Sequence, residues 1–316
     1  MSKEFLAAFR DRIDRAEKIM VTAHIRPDGD AIGSILSLGL ALREAGKQVE
    51  MVSKDGVPDD FKFLEGAADI KSKSEGGVDM VIALDSGDIT RVEAALNGSL
   101  NVDVNIDHHI SNPGYGELNF VDAKAVSTTE ILSELIPGAG LPVTASVAEA
   151  LLFGILTDSQ GFMTLNTTAN SLRAAAALVE QGADMNNLYY QVLAKKSYEA
   201  VKYWGAGLAS LKREDGIAWT VLSIEDRQQA NYPGRDDANL VNLLSRIDGV
   251  GVAIVFIEQD NEKVKVSWRA KKGFNVSEVA ASFGGGGHVA AAGATIEGKL
   301  EEVQERVLSA TKTAIF

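Results

Sequence analysis

The chain has 316 residues, a formal net charge of −13, four histidines and no cysteine, with nearly half of its residues apolar and about a quarter charged. Such a length permits two ordinary domains, and the composition excludes long disorder and low-complexity architecture. The missing cysteines exclude disulfides, thiolate ligands and thiol nucleophiles, so any metal must be held by His, Asp or Glu, and the acidic balance argues against a broad duplex-binding surface.

The first residues, MSKEFLAAFRDRIDRAEK, have apolar positions at helical spacing and none of the uninterrupted apolar core of a signal peptide. No stretch reaches the roughly 18 uncharged apolar residues of a membrane span. A cytoplasmic protein without a membrane segment is expected. Lys18–Ala23 (KIMVTA) reads as a strand, Asp30–Ala45 as an apolar helix stopped near Gly46, and Gln48–Ser53 as a second strand, which makes a βαβ unit. Met80–Leu84 and Val102–Ile106 read as further strands, both finishing in acidic residues. Helices are expected over Ser127–Ile136, Val143–Leu156 and Ala169–Gln181, with a polar helical connector over Met185–Val201. Strands at Ala218–Ile224, Val250–Glu258 and Lys263–Lys271, and a helix near Leu240–Ile247, then begin a second α/β unit. It closes with Gly284–Gly287, His288, a short strand around Ala294–Ile296 and a helix over Leu300–Thr313.

The expected fold class is therefore α/β: an amino-terminal domain with a parallel sheet flanked by helices, a smaller carboxy-terminal α/β domain with a mixed sheet, and an active site in the cleft between them. The expected boundaries are 1–184 for the catalytic domain, 185–201 for a helical linker and 202–316 for the second domain. Ligand sites of open α/β sheets lie at the carboxyl ends of the strands, and the chemistry-bearing residues cluster there. His24, Asp28 and Asp30 leave the first strand in HIRPDGD, whose Pro27 and Gly29 delay the helix. They can gather on a cation, or Asp28 can simply cap the helix. Asp85 follows MVIAL directly, and a helix cap would explain it too. Asp107, His108 and His109 follow VDVNI, and two adjacent histidines with a carboxylate point to metal binding or catalysis. Asp158 ends an apolar helix, where a buried carboxylate needs a partner. Five carboxylates and three histidines on these loops suffice for two cations. An oxygen and imidazole set suits Mn(II) or Mg(II), with Zn(II) or Co(II) as substitutes, and paired ions clamp the attacking and leaving oxygens of phosphoryl displacement.

Read in order, HIRPDGDAIGS, ALDSGD, NIDHH and TDSQGF, followed by SWRAKKGFNVSEVAASFGGGGHVAAAGA, resemble the successive motifs of the DHH phosphoesterases and of their DHH-associated carboxy-terminal domain, in the form found in NrnA-like proteins. The resemblance spans nearly the whole chain. It implies a metal-dependent hydrolase of short RNA oligonucleotides and of 3'-phosphoadenosine 5'-phosphate, with cyclic dinucleotides or their linear products, or RecJ-like digestion of single strands, as alternatives. His24, Asp28 and Asp85 would hold one Mn(II), and Asp30, His108, Asp158 and a bridging Asp85 the other. Asp107 would orient a ligand histidine or His109, and His109 would face the scissile phosphate. Pyrophosphate hydrolysis fits the second domain less well, and a sensor that has lost catalysis would be expected to lack a ligand. The partners implied are short single strands or nucleotides, not duplex DNA and not a membrane; a homodimer is left open.

In the second domain Arg269 offers a fork for phosphate, and Gly285, Gly286, Gly287 and His288 allow backbone amides to approach a phosphate or ribose; a flexible loop is the plainer reading of the glycines alone, and the resemblance reverses it in favour of substrate binding. Ser267 and Lys271 share the strand face of Arg269, which is equally an ordinary solvated face. One departure stands out: many NrnA-like proteins carry a glycine where this chain has Gln160, which puts the space for the nucleotide beside Asp158 in question.

Overall fold

Five short runs form the sheet of the first unit: β1 (Lys18–Thr22), β2 (Gln48–Val52), β3 (Met80–Leu84), β4 (Val104–Asp107) and β5 (Leu118–Val121). All pair in parallel, in the order β2-β1-β3-β4-β5. A parallel sheet covered on both faces needs apolar residues on both, which is why β3 and β4 are buried throughout and read as continuous runs without alternation. The computed structural model describes residues 1–96 and 101–315, and the chain divides into two units, Met1–Lys195 and Lys196–Phe316.

Helices α1 (Lys3–Arg15), α2 (Gly29–Glu44), α4 (Thr128–Gly138) and α5 (Ala145–Asp158) bury their apolar faces with Ile19, Val21, Ile82, Leu84 and Ile106 in one core. The alternate residues Met20, Val81 and Ala83 face the other way, onto α3 (Thr90–Leu96). Helices α6 (Ala169–Glu180) and α7 (Met185–Tyr189) complete the unit, followed by a π-helical turn over Tyr190–Ala194. The expected connector over 185–201 is thus split. Its first part belongs to the first unit, where Leu188 is fully buried, and its last residues open α8 (Tyr198–Ala209) of the second.

Strand order reverses between β1 and β3, where ligands of such sheets bind. His24 leaves β1 and Asp85 leaves β3 at that point. Helices α2 and α5 approach closely over glycines: a Cβ on Gly33 would lie 2.6 Å from the Ala150 carbonyl oxygen.

The second unit has a mixed sheet of β6 (Lys212–Glu214), β7 (Ile217–Leu222), β8 (Val252–Gln259), β9 (Lys263–Ala270), β10 (Gly286–His288) and β11 (Ala291–Glu297), in the order β10-β11-β9-β8-β7-β6. Only β7 and β8 pair in parallel. Ala253, Val255 and Ile257 face a core with Tyr203 and with Leu240 and Leu244 of α10 (Leu240–Leu244). Ile254, Phe256 and Trp268 face the other core, with α11 (Val276–Ser282) and α12 (Leu300–Ile315). A further short helix, α9 (Ile224–Ala230), follows β7. Among the described residues no helix is long and apolar enough to cross a membrane.

Candidate metal centre

Three strand ends and two helix ends bring their side chains together in the first unit. His24 is buried, and its Nε2 lies 3.5 Å from Asp85 Oδ2 and 3.7 Å from Asp28 Oδ2. Asp28 does both things its position allows. Oδ1 caps α2 by accepting from the Ala31 amide at 3.1 Å, while Oδ2 turns to His24. On the neighbouring strand ends, His108 Nε2 stands 3.6 Å from Asp85 Oδ1 and 3.6 Å from Asp158 Oδ2. Ligand atoms within 4.8 Å of one another form three groups: His24, Asp28 and Asp85; Asp30, His108 and Asp158; and Asp85, His108 and His109. Asp85 belongs to two of them. Its backbone is left-handed, with φ of 51°, a conformation that Asp tolerates better than most residues and that is often held where a side chain must be aimed.

Asp30 is fully enclosed. Its Oδ2 accepts from the Thr128 amide at 2.6 Å, and its Oδ1 from the Thr129 amide at 3.0 Å and the Thr129 hydroxyl at 2.6 Å. Thr128 Oγ1 also donates to Asp85 Oδ1 at 3.1 Å. Asp107 is fully buried and accepts from His109 Nδ1 at 2.7 Å, from the His108 amide at 2.8 Å and from Asn112 Nδ2 at 2.7 Å. His24 Nδ1 lies 2.8 Å from the Ile25 carbonyl, the acceptor that keeps an Nδ1–H tautomer and leaves Nε2 free to bind a cation. The Arg91 guanidinium also stands 2.9 Å from this nitrogen, but as a pure donor it could bond Nδ1 only in the other tautomer. Thr128, Thr129, Asn112 and Arg91 are site residues that the sequence reading missed. The signal was there for the threonines: Ser127 caps α4, so the two residues after it were bound to place free amides at the helix start.

The electrostatics call for positive charge. Burial, together with Asp85 and Asp158, pushes the Asp30 pKa well above the usual carboxylate range. Burial likewise raises Asp158 to about 6, against the pull of His108. Burial works against a charged His24, yet Asp28 and Asp85 outweigh it and hold its pKa at about 10. For Asp107 burial is outweighed by His109 and Asn112, which keep its pKa low. The His109 pKa is raised, chiefly by Asp107. Four carboxylates facing one space with imidazoles, two of them, Asp30 and Asp158, pressed toward protonation by burial, are a donor set that fits divalent cations.

The substrate-binding candidates lie in the second unit. Cross-strand register places His288, Ala291 and Arg269 in one row on the same face, with His288 and Arg269 two strands, or about 10 Å, apart. Arg269 is anchored: Nε donates to Asn242 Oδ1 at 2.8 Å and Nη1 to the Trp268 carbonyl at 2.9 Å, which leaves Nη2 and one Nη1 hydrogen as a fork. Lys271, on that strand's continuation, spends a bond on the Ile247 carbonyl. The glycines separate by cause. At Gly285 a Cβ would lie 2.2 Å from the Gly293 carbonyl oxygen, and at Gly287 one would lie 2.4 Å from that of Ala291. Close approach to β11 explains both without a ligand; Gly284 and Gly286 face open space. The run is also not wholly a loop, since Gly286–His288 is a strand.

Fold and site together define an α/β protein with a carboxylate and imidazole centre at the switch point of a parallel sheet, followed by a mixed-sheet unit. Residues 18–155 match the DHH family, N-terminal domain, and residues 216–314 match the DHHA1 domain. The chain is 35% identical over 300 residues to the bifunctional oligoribonuclease and PAP phosphatase NrnA of Thermus thermophilus, covering 93% of this chain and 89% of that one. It is 28% identical over 284 residues to the protein of the same name from Bacillus subtilis, covering 89% and 90%. The crystal structure of an exopolyphosphatase-related protein from Bacteroides fragilis matches with a TM-score of 0.88 at 25% identity, covering 99% of this chain and 96% of that one. The chain belongs to the DHH family.

Proposed function

We propose that the protein is a metal-dependent phosphoesterase that hydrolyses short RNA oligonucleotides and 3'-phosphoadenosine 5'-phosphate in the cytoplasm. The observation that carries this reading is the convergence of His24, Asp28, Asp30, Asp85, His108 and Asp158 on one acidic space, in a chain similar over nearly its whole length to proteins named for those two activities. His24, Asp28 and Asp85 would hold one Mn(II), and Asp30, His108 and Asp158 a second, with Asp85 shared. What supports the division is that each trio has its ligand atoms within 4.8 Å of one another and that Asp85 faces both histidines through different oxygens.

When bound, the cations supply Lewis acidity and positive charge to the phosphoryl oxygens and the nucleophilic water. The remaining work falls to the chain. His109, with Nδ1 fixed on Asp107, presents its other ring edge to a phosphoryl oxygen, and its pKa is raised, which favours the form that donates there. Arg269 and His288 would grip phosphate or ribose away from the scissile bond; the fork left on Arg269 supports this. Turnover on a diribonucleotide, 3'-phosphoadenosine 5'-phosphate, a cyclic dinucleotide and pyrophosphate, each with Mn(II) and Mg(II), tests the reading. The first two should be the good substrates, and hydrolysis of pyrophosphate alone would overturn it.

A further inference from the structure

The amino end of α4 holds the metal centre from behind. Its cap, Ser127 Oγ, accepts from the Glu130 amide at 3.0 Å and lies 2.9 Å from Thr129 Oγ1. Thr129 has one hydroxyl proton, and it goes to Asp30 Oδ1 at 2.6 Å. Ser127 must therefore donate to Thr129, which makes an ordered chain of donors ending on the carboxylate. An ionised carboxylate has about four acceptor positions. On Asp30 the Thr129 amide and hydroxyl fill both positions of Oδ1, and the Thr128 amide fills one of Oδ2. One position on Oδ2 remains. On Asp85, Thr128 Oγ1 takes one position of Oδ1 and leaves Oδ2, the oxygen facing His24, fully open.

We propose that Thr128 and Thr129 are positioning residues that fix which oxygens of the two buried carboxylates stay open to the cations they would hold: one position of Asp30 Oδ2, and on Asp85 all of Oδ2 with part of Oδ1. This rests on the metal-centre reading above. Gly154 on α5 belongs to the same device. A Cβ there would lie 2.5 Å from Thr129 Oγ1 and 2.9 Å from Asp30 Oδ1, so its absence makes room for the hydroxyl bond. The threonines bond the ligand carboxylates Asp30 and Asp85, and their effect passes through them.

The test uses the full chain and Mn(II) alone, with binding followed by the electron paramagnetic resonance of free Mn(II) and folding by circular dichroism. Thr129→Val keeps the shape and removes the hydroxyl donor, and should weaken Mn(II) binding about 10- to 100-fold, the range for a lost partner of a ligand. Thr129→Ser should restore it. Thr128→Val leaves all three bonds to Asp30 and removes only the one to Asp85, so it should weaken Mn(II) binding while folding normally, and it decides the matter if Thr129→Val does not fold. With substrate, kcat at limiting Mn(II) should fall while KM at saturating Mn(II) stays unchanged. Wild-type affinity in both valine variants overturns the proposal, as does failure of Thr129→Ser to restore binding. A wild-type chain that binds no Mn(II) would instead sink the metal-centre reading, and one that binds it but hydrolyses nothing would sink the phosphoesterase reading while leaving this result readable.

Discussion

His109 Nδ1 donates to Asp107 Oδ1 across 2.7 Å, onto a carboxylate that is wholly buried and also bonded to Asn112 and the His108 amide. Asp107 thereby fixes the tautomer and raises the pKa of a ring that is itself more than one third exposed, with 38% of its side chain open to solvent. Asp107→Asn should lower the His109 pKa, visible as a shift of its NMR titration to lower pH, and reduce kcat about 10- to 100-fold with KM nearly unchanged. An unchanged titration would mean that Asp107 does not control the ring.

Asp85 faces His24, His108 and His109 at 3.5–3.6 Å. Asp85→Asn should bring turnover to background and lower the amount of Mn(II) bound, yet leave the circular dichroism spectrum unaltered. Near-normal turnover would remove Asp85 from the centre.

The pH dependence of stability should reverse sign with metal. Asp30, Asp158 (about 6) and His24 (about 10) all have folded pKa values above their ordinary ones. Their proton binding stabilises the metal-free fold at low pH, and that contribution is lost as pH rises through the folded values. Asp158 loses its share up to about 6, Asp30 loses its share above the usual carboxylate range, and His24 continues to about 10. Asp28 and Asp107 are depressed and act in the opposite sense only below the usual carboxylate range. Melting in EDTA should therefore fall from about pH 5 to about pH 8, while the increase on adding Mn(II) grows, since binding expels those protons. A gain independent of pH would count against these ligands.

Gln160 is exposed and has a φ of 50°, in the region that favours glycine. Gln160→Gly should relieve the left-handed penalty, partly offset by the freedom glycine adds to the unfolded chain, for a net gain of about 0.5–1 kcal/mol in urea unfolding. A changed ratio of turnover on 3'-phosphoadenosine 5'-phosphate to turnover on diribonucleotide would show that the side chain also shapes the nucleotide pocket.

Arg269→Ala should raise KM about tenfold or more with kcat retained, consistent with a charge-assisted bond to substrate. Loss confined to kcat at saturating substrate would place the residue elsewhere in the reaction.

Much of this was legible because one physical rule served twice. Strands buried on both faces need unbroken apolar runs, so MVIAL stood out, and any charge at its end had to be there for a reason; Asp85 was found that way. Strand β5 (LNFV) lies at the sheet edge with half-buried residues, carries no such contrast, and was not found. The glycines of GGGGH were read as freedom to meet a ligand, whereas two of them answer to the neighbouring strand, a packing demand invisible without knowing that β10 pairs with β11. Thr128 and Thr129 escaped for a related reason. Hydroxyls after a helix cap are common, and only the fold brings Asp30, nearly a hundred positions earlier, beneath them.

That separation bears on how the protein is made. Asp30 leaves the ribosome long before the threonines that bond it and longer still before Gly154 and Asp158, which complete its surroundings. A nascent chain that ends short of α5 has neither the second trio nor the glycine contact that lets α2 settle. The second trio is then completed only late in the birth of the first unit. Half-made chains have at most the first trio, His24, Asp28 and Asp85.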